Sequence, residues 1–185
     1  LLRLQAGSTD NEQLRQALTE TQNRISAIAG MHRSLYTYDN VSHVEMDRYL
    51  LALVKDISGT IDTREHSVEI VVEADPIQLA ADKAVSAGMI VTELVTNALK
   101  YAYPEGTAGK IIVSLKRQCE TKARLAVEDF GVGLNSQHNN PSSTGLGQKI
   151  IKSMADAIGS GITYPPREKG AVAEVMVNLE SSIEV

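Results

Sequence analysis

The stretch Glu-Leu-Val-Thr-Asn-Ala-Leu-Lys-Tyr at residues 93–101 most constrains this chain, because as a helix it has one polar and one apolar side. Glu93, Asn97 and Lys100 then lie at i, i+4 and i+7 on one stripe. The apolar side consists of Val91, Leu94, Val95 and Ala98. An amide oxygen suits Mg²⁺ and an ammonium suits phosphate, so the stripe is a candidate site for a metal-bound polyphosphate. The alternative is an ordinary solvated helix face.

A second group of candidate residues follows a predicted strand. Residues 125–129 read Leu-Ala-Val-Glu-Asp and are followed at once by Phe-Gly-Val-Gly, so we expect Asp129 at a strand end that faces a cleft. Gly131 and Gly133 permit backbone geometry and close approaches that other residues resist. A carboxylate in such a place accepts a hydrogen bond from an exocyclic amine, which distinguishes adenine from other bases. A plain hairpin turn is the alternative.

Glycines also precede the last predicted helix. Residues 143–147 read Ser-Thr-Gly-Leu-Gly and open a run with helical apolar spacing. Glycine-rich backbone that leads into a helix N-terminus is suited to phosphate. Each motif has a plain alternative, here an ordinary helix-initiating turn, but all three in this order are much less expected by accident.

Together the three motifs resemble those of the GHKL ATP-binding fold, which sensor histidine kinases, Hsp90-type chaperones, type II topoisomerases and mismatch-repair ATPases share. Residues 93–101 resemble the N-box, residues 129–133 the G1 box and residues 144–147 the G2 box. The resemblance implies an α+β fold, the Bergerat α/β sandwich with a mixed sheet, and it implies ATP and Mg²⁺ as ligands. No P-loop motif or GxGxxG pattern occurs in the sequence, which agrees with this type of site.

The resemblance also implies a role for each matching residue. Asp129 would bind the adenine amine and Tyr101 would lie against the ring. Asn97 would be the Mg²⁺ ligand, Lys100 would bind phosphate, and Glu93 would orient a Mg²⁺-bound water or the incoming imidazole. Gly131, Gly133, Gly145 and Gly147 would let the backbone and the lid close around the phosphates. Thr144 and Leu146 of the G2 box would also contact the nucleotide.

One position near the C-terminus departs from the family pattern. Many relatives have Gly-Thr before the last strand, with the threonine near the adenine, whereas this chain has Gly170 and Ala171. The missing hydroxyl implies slightly weaker base recognition. Asp129 would still carry the main polar contact.

The N-terminal third has the spacing of a helical seam. Its positions alternate in steps of four and three: Leu14, Leu18, Thr21, Ile25, Ile28, His32 and Leu35. This pattern is typical of a helical bundle or coiled coil. Residues 1–6 resemble the tail of an earlier helix, and a hairpin with such a seam needs partners, so we expect dimerisation into a four-helix bundle.

Residues 24–36 and 49–53 resemble the dimerisation region of the HisKA_2 class of bacterial histidine kinases. That resemblance implies a homodimer that moves the γ-phosphate of ATP to a histidine and then to an aspartate of a response-regulator receiver domain. The His-Arg-Val-Lys-Asn type of motif that carries the phosphoacceptor in that class does not occur in the sequence, so we expect a catalytic fragment whose phosphorylation site lies upstream. His32 matches a structural histidine of the class, and we expect it to pack in the seam and not to accept phosphate.

The coarse organisation predicts partial dimerisation helices at residues 1–60 and an ATP-binding domain at residues 61–185. Helices are predicted at residues 11–36, 45–58, 82–102 and 148–158. Strands are predicted at residues 67–73, 110–117, 123–128, 161–164 and 172–179. The polar stretch 135–143 is a candidate ATP lid, and a long loop is its alternative.

Composition excludes some classes of protein. A formal net charge of −5 argues against a general nucleic-acid binder. The single Cys119 cannot form an internal disulfide, and no apolar run approaches the roughly 20 residues of a membrane span. We therefore expect a cytoplasmic location, either in a soluble protein or in the cytoplasmic part of a membrane-bound sensor.

Two other functions stay open from the sequence. One is a GHKL ATPase or anti-sigma serine kinase, which the N-terminal seam disfavours. The other is a non-enzymatic dimeric phosphotransfer or docking module with a decayed ATP site, which the presence of Glu93, Asn97 and Asp129 disfavours.

Overall fold

The structure is a computed structural model that describes residues 43–60, 68–104, 107–133 and 146–180. Two predicted features lie outside the described residues. These are the seam-bearing helix at residues 11–36 and the candidate lid at residues 135–143.

A mixed four-stranded sheet forms the centre of the described part. Its strands are β2 (Val68–Ala74), β4 (Gly109–Cys119), β5 (Lys122–Asp129) and β6 (Ala171–Asn178). The strand order is β2-β4-β5-β6, with β2 parallel to β4 and the other two pairs antiparallel. The sheet confirms the predicted α+β class. Successive side chains of β4 and β5 point to opposite faces, and three consecutive residues in the middle of each strand are buried.

Three helices of the described residues pack on one face of this sheet. They are α1 (Met46–Thr60), α2 (Ala81–Tyr101) and α3 (Leu146–Ile158). Their apolar sides share one core with every second residue of the strands, for example Ile111, Val113 and Leu115 of β4. The described part of the chain has no helix that is both long enough and apolar enough to cross a membrane.

The helix α1 belongs to this same core. Met46 and Leu50 are completely buried, and the Met46 N–H donates a 2.9 Å hydrogen bond to the carbonyl of Ile77. The domain boundary at residue 60 stays a prediction. The apolar side of α1 packs into the core that α2 and the sheet share.

Two short strands were not predicted from the sequence. They are β1 (His43–Glu45) and β3 (Gln78–Ala80), which pair antiparallel with each other. The predicted strand at residues 161–164 was wrong, because only Thr163 forms a bridge there, with Glu174. The two prolines that follow remove backbone donors, so no ladder can continue through them.

Candidate functional site

The polar stripe of α2 runs from the protein interior to its surface. Glu93 is buried, Asn97 is half-buried and Lys100 is exposed in the last turn of the helix. An ordinary solvated face would not bury a carboxylate, because an ionised group loses its hydration there. At Glu93 the stripe therefore differs from an ordinary solvated helix face.

Asp129 lies at the end of β5, as the sequence predicted. The residue pairs with Ile111 of β4 and Ala171 of β6, and only 8% of its surface is exposed. Its Oδ1 accepts a 3.0 Å hydrogen bond from the N–H of Gly131. Burial raises the pKa of the Asp129 carboxyl above its ordinary value, while the N–H groups of Gly131 and Ala171 and the Arg167 guanidinium act in the opposite direction.

The backbone just after Asp129 is bound to the end of α2. The Phe130 N–H donates to the Tyr103 hydroxyl at 2.9 Å, and the Val132 N–H donates to the Ala102 carbonyl at 3.0 Å. Gly131 allows this contact, because a Cβ atom there would overlap the Ala102 carbonyl. The fold thereby brings Asp129 next to the helix end that carries Tyr101.

Two further glycines shape the same region. Gly133 and Gly170 have positive φ angles of 81° and 74°, which other residues rarely adopt. A Cβ atom added to Gly133 would lie 3.2 Å from the Gly170 carbonyl oxygen. The loop after β5 and the segment before β6 therefore meet here. The two backbone segments therefore approach each other closely beside Asp129.

Sequence reasoning missed Tyr103. Its hydroxyl donates to the Lys110 carbonyl and accepts from the N–H groups of Lys110 and Phe130. The ring fits only because Gly109 has no side chain there. The sequence offered one weak indication of this role, a tyrosine two residues after the end of the helix that carries the N-box.

Sequence reasoning also missed Arg167. Its Nη1 lies 2.8 Å from Oε2 of Glu128, and its guanidinium carbon lies 5.1 Å from the centre of the Phe130 ring. No local pattern around residue 167 points to these partners.

Some predicted site residues are not described by the structure, and others lie away from Asp129 and the end of α2. Thr144 and Gly145 lie outside the described residues, as does the side chain of Leu146. Gly147 is half-buried in the first turn of α3, which packs on α2. Glu93 lies eight residues before Tyr101 on α2, and the helical rise converts that separation to about 12 Å along the axis.

Two features of this site fit an adenine nucleotide bound with Mg²⁺. A buried carboxylate at a strand end can select an amine, and glycines with close backbone contacts lie next to it in the fold. No group of three or more His, Cys, Asp or Glu side chains among the described residues could hold a metal alone. At nucleotide sites Mg²⁺ usually takes most of its ligands from phosphate and water.

Two family models match the chain. The model described as histidine kinase-, DNA gyrase B-, and HSP90-like ATPase matches residues 82–181. The HisKA_2 model, described as histidine kinase, matches residues 1–61. The two matches fall on the parts of the sequence that carry the ATP-site motifs and the helical seam.

Curated relatives agree with these matches. The sensor histidine kinase PdtaS of Mycobacterium tuberculosis is 30% identical over 175 residues, which are 92% of this chain and 34% of that protein. The blue-light-activated histidine kinase 2 of Erythrobacter litoralis is 23% identical over 113 residues, 61% of this chain and 33% of that protein. The chain thus spans about a third of the length of these curated relatives.

Solved structures show the same fold. The histidine kinase domain of an Erythrobacter litoralis blue-light-activated kinase superposes with a TM-score of 0.71 at 19% identity, covering 96% of this chain and 93% of that one. The Acinetobacter baumannii histidine kinase AdeS gives a TM-score of 0.59 at 15% identity, covering 90% and 80%. The chain therefore belongs to the histidine kinase-, DNA gyrase B- and HSP90-like ATPase family, and its HisKA_2 match places it with the histidine kinases of that family.

Proposed function

We propose that this chain is the ATP-binding catalytic core of a two-component sensor histidine kinase. In this proposal ATP supplies its γ-phosphate to a histidine outside the sequence, and the group then passes to a response-regulator aspartate. The observation that carries the proposal is the buried Asp129, held by Gly131 and placed beside the end of the helix that bears Asn97 and Lys100.

The base end of the site would depend on Asp129. Because one carboxylate oxygen already accepts from Gly131, the group is held in one orientation, and it can accept from an adenine amine. Tyr101 ends α2 and is half-buried, so its ring is available as a flat surface beside the base.

The phosphate end would depend on α2 and on the G2 box. Asn97 offers an amide oxygen to Mg²⁺ and Lys100 offers a positive charge to phosphate. When bound, Mg²⁺ neutralises phosphate charge, and phosphoryl transfer depends mostly on such neutralisation and on positioning. Glu93 would orient a Mg²⁺-bound water or the incoming imidazole. Gly131, Gly133, Gly145 and Gly147 would let the backbone close around the phosphates.

The wider assembly is part of the same proposal. We infer a homodimer through the N-terminal helices, a receiver domain as the protein partner, and a cytoplasmic location. The relatives named above are histidine kinases, and the HisKA_2 match at residues 1–61 supports the first of these inferences. A formal net charge of −5 argues against nucleic acid as a general partner.

Calorimetry with a non-hydrolysable ATP analogue tests the site directly. We expect binding that requires Mg²⁺, and we expect Asn97→Ala to lose most of the Mg²⁺-dependent affinity. Ser86→Ala is the matched control, since Ser86 lies on the same helix and its hydroxyl bonds only the helix backbone at Asp82 among the described residues. Absence of any heat would favour a docking module, and unchanged binding by Asn97→Ala would contradict the role given to Asn97.

Labelling with γ-³²P ATP tests the reaction. In the full-length protein we expect acid-labile phosphate on a histidine, whereas phosphate on serine would favour an anti-sigma type of kinase. The 185-residue chain by itself should bind ATP without labelling. Phosphate on His32 would contradict the structural role expected for that residue.

A further inference from the structure

Arg167 contacts both sequence neighbours of Asp129. The arginine lies in the segment between α3 and β6, 39 residues from Glu128, and its Nη1 lies 2.8 Å from Oε2 of that residue. The same guanidinium lies over the ring of Phe130, 5.1 Å from its centre. One side chain thus reaches the residue before Asp129 and the residue after it.

The ion pair is partly withdrawn from solvent. The side chain of Arg167 is 29% exposed and that of Glu128 is 24% exposed, so water screens their attraction less than at an open surface. The planar guanidinium can pair with a carboxylate and stack on a ring at the same time, which a lysine ammonium cannot do. These two contacts restrain the chain on both sides of one residue.

Glu128 and Asp129 point to opposite faces of β5, because successive side chains of a strand alternate. Arg167 therefore acts from the face opposite to the Asp129 carboxylate. A restraint there leaves the inner face open while it fixes the peptide groups that set the direction of the Asp129 side chain.

We propose that Arg167 is a positioning residue for base recognition, which fixes the backbone around Asp129 and so directs its carboxylate at the 6-amino group of a purine. This inference rests on the proposed ATP site. Hydrogen bonds weaken steeply as their angle departs from linear, so a carboxylate that loses its direction loses selectivity for the amine. A 6-oxo purine presents an acceptor at the same place, so the preference for ATP over ITP reports that direction.

The test compares Arg167→Met with the wild-type chain, measuring the dissociation constants of ATP and ITP by calorimetry and stability by thermal unfolding. We expect the ATP-to-ITP preference to fall about tenfold, because part of a hydrogen bond to a charged group is lost when the carboxylate loses its direction. Lys169→Met is the matched control, because Lys169 is an exposed cation of the same segment, and it should keep the wild-type preference.

Two more variants separate positioning from simple stabilisation. Arg167→Lys keeps the charge but not the planar group, so we expect an intermediate preference. Glu128→Gln removes the partner charge and should shift the preference in the same direction. A contact that only stabilised the fold would lower the melting temperature and leave the preference between the two nucleotides unchanged.

The outcomes are distinct. A wild-type preference in Arg167→Met, or in Arg167→Lys if the first variant does not fold, would overturn the inference. Failure of the wild-type chain to bind ATP would instead overturn the proposed function on which the inference rests.

Discussion

Gly170 and Asp129 lie so close together that the Asp129 carbonyl group occupies the place where a Cβ atom of residue 170 would stand. Gly170 also has a φ angle of 74°, a conformation that L side chains rarely adopt. The segment before β6 can therefore reach the end of β5 only with glycine at this position. The contact aligns Ala171 opposite Asp129 at the edge of the candidate site.

Gly170→Ala should both destabilise the domain and disturb nucleotide binding. We expect a loss of about 2 kcal/mol or more in the free energy of unfolding, because the new Cβ meets backbone that cannot move aside cheaply. Denaturant unfolding measures the loss. Gly59→Ala is the control, since none of the described residues lies within 4 Å of a Cβ there and alanine favours a helix. Equal stability of the two variants would show that the contact is not tight in solution.

Asp129→Asn should weaken ATP binding while sparing the fold. The Asn oxygen would accept from Gly131, as Asp129 does now, which leaves its NH₂ group facing the adenine amine. We expect more than about a tenfold loss of ATP affinity, because two donors then oppose each other. Calorimetry measures this loss, and wild-type affinity in the variant would remove Asp129 from the site.

The same variant has a predictable dependence on pH. Burial raises the pKa of Asp129 in the folded state, so the folded protein holds this proton more tightly than the unfolded chain does. At pH values above this raised pKa, the ionised Asp129 therefore lowers the free energy of unfolding. The loss disappears as the pH falls below the ordinary pKa of aspartate. Asp129→Asn should have the higher melting temperature near neutral pH, with the difference shrinking under acid conditions. If the difference in melting temperature grew under acid conditions, the pKa of Asp129 would be lowered by folding and not raised.

Tyr103→Phe should lower stability because it removes one hydroxyl that serves three backbone groups. The N–H groups of Phe130 and Lys110 would lose their shared acceptor, and we expect a cost of about 1–3 kcal/mol in the free energy of unfolding. Denaturant unfolding provides the measurement. The control is Tyr164→Phe, since Tyr164 is 42% exposed and should tolerate the change. Similar small effects of both variants would contradict the role of Tyr103.

Tyr49→Phe should have the opposite outcome. Tyr49 is buried in α1, and its hydroxyl has no hydrogen-bond partner among the described residues. Burial also raises its pKa far above the ordinary value. Removal of an unpaired buried hydroxyl should leave stability unchanged or raise it by up to about 1–2 kcal/mol, again measured by denaturant unfolding. A clear loss of stability would reveal a partner for this hydroxyl.

Much of the fold was predictable because its signals lie within short stretches of sequence. The helix predicted at residues 82–102 forms at Ala81–Tyr101, and the strand predicted at residues 123–128 forms at Lys122–Asp129. The three-residue strands β1 and β3 escaped detection, because each is too short to show a period and each needs the other. The assigned roles of the site residues stay predictions, and those of Thr144 and Gly145 fall outside the described residues.

The sequence by itself determined the helices α1, α2 and α3 and the four strands of the central sheet, and it placed Asn97, Lys100, Asp129 and the glycines in motifs with a chemical purpose. Periodicity and turn chemistry are local, so neighbouring residues are enough to reveal them. Only the tertiary structure decided which groups hold Asp129 in place. Tyr103 lies 27 residues from Phe130, and Arg167 lies 39 residues from Glu128. Such contacts exist only after the strands have paired and the helices have packed, because folding alone brings these distant residues together.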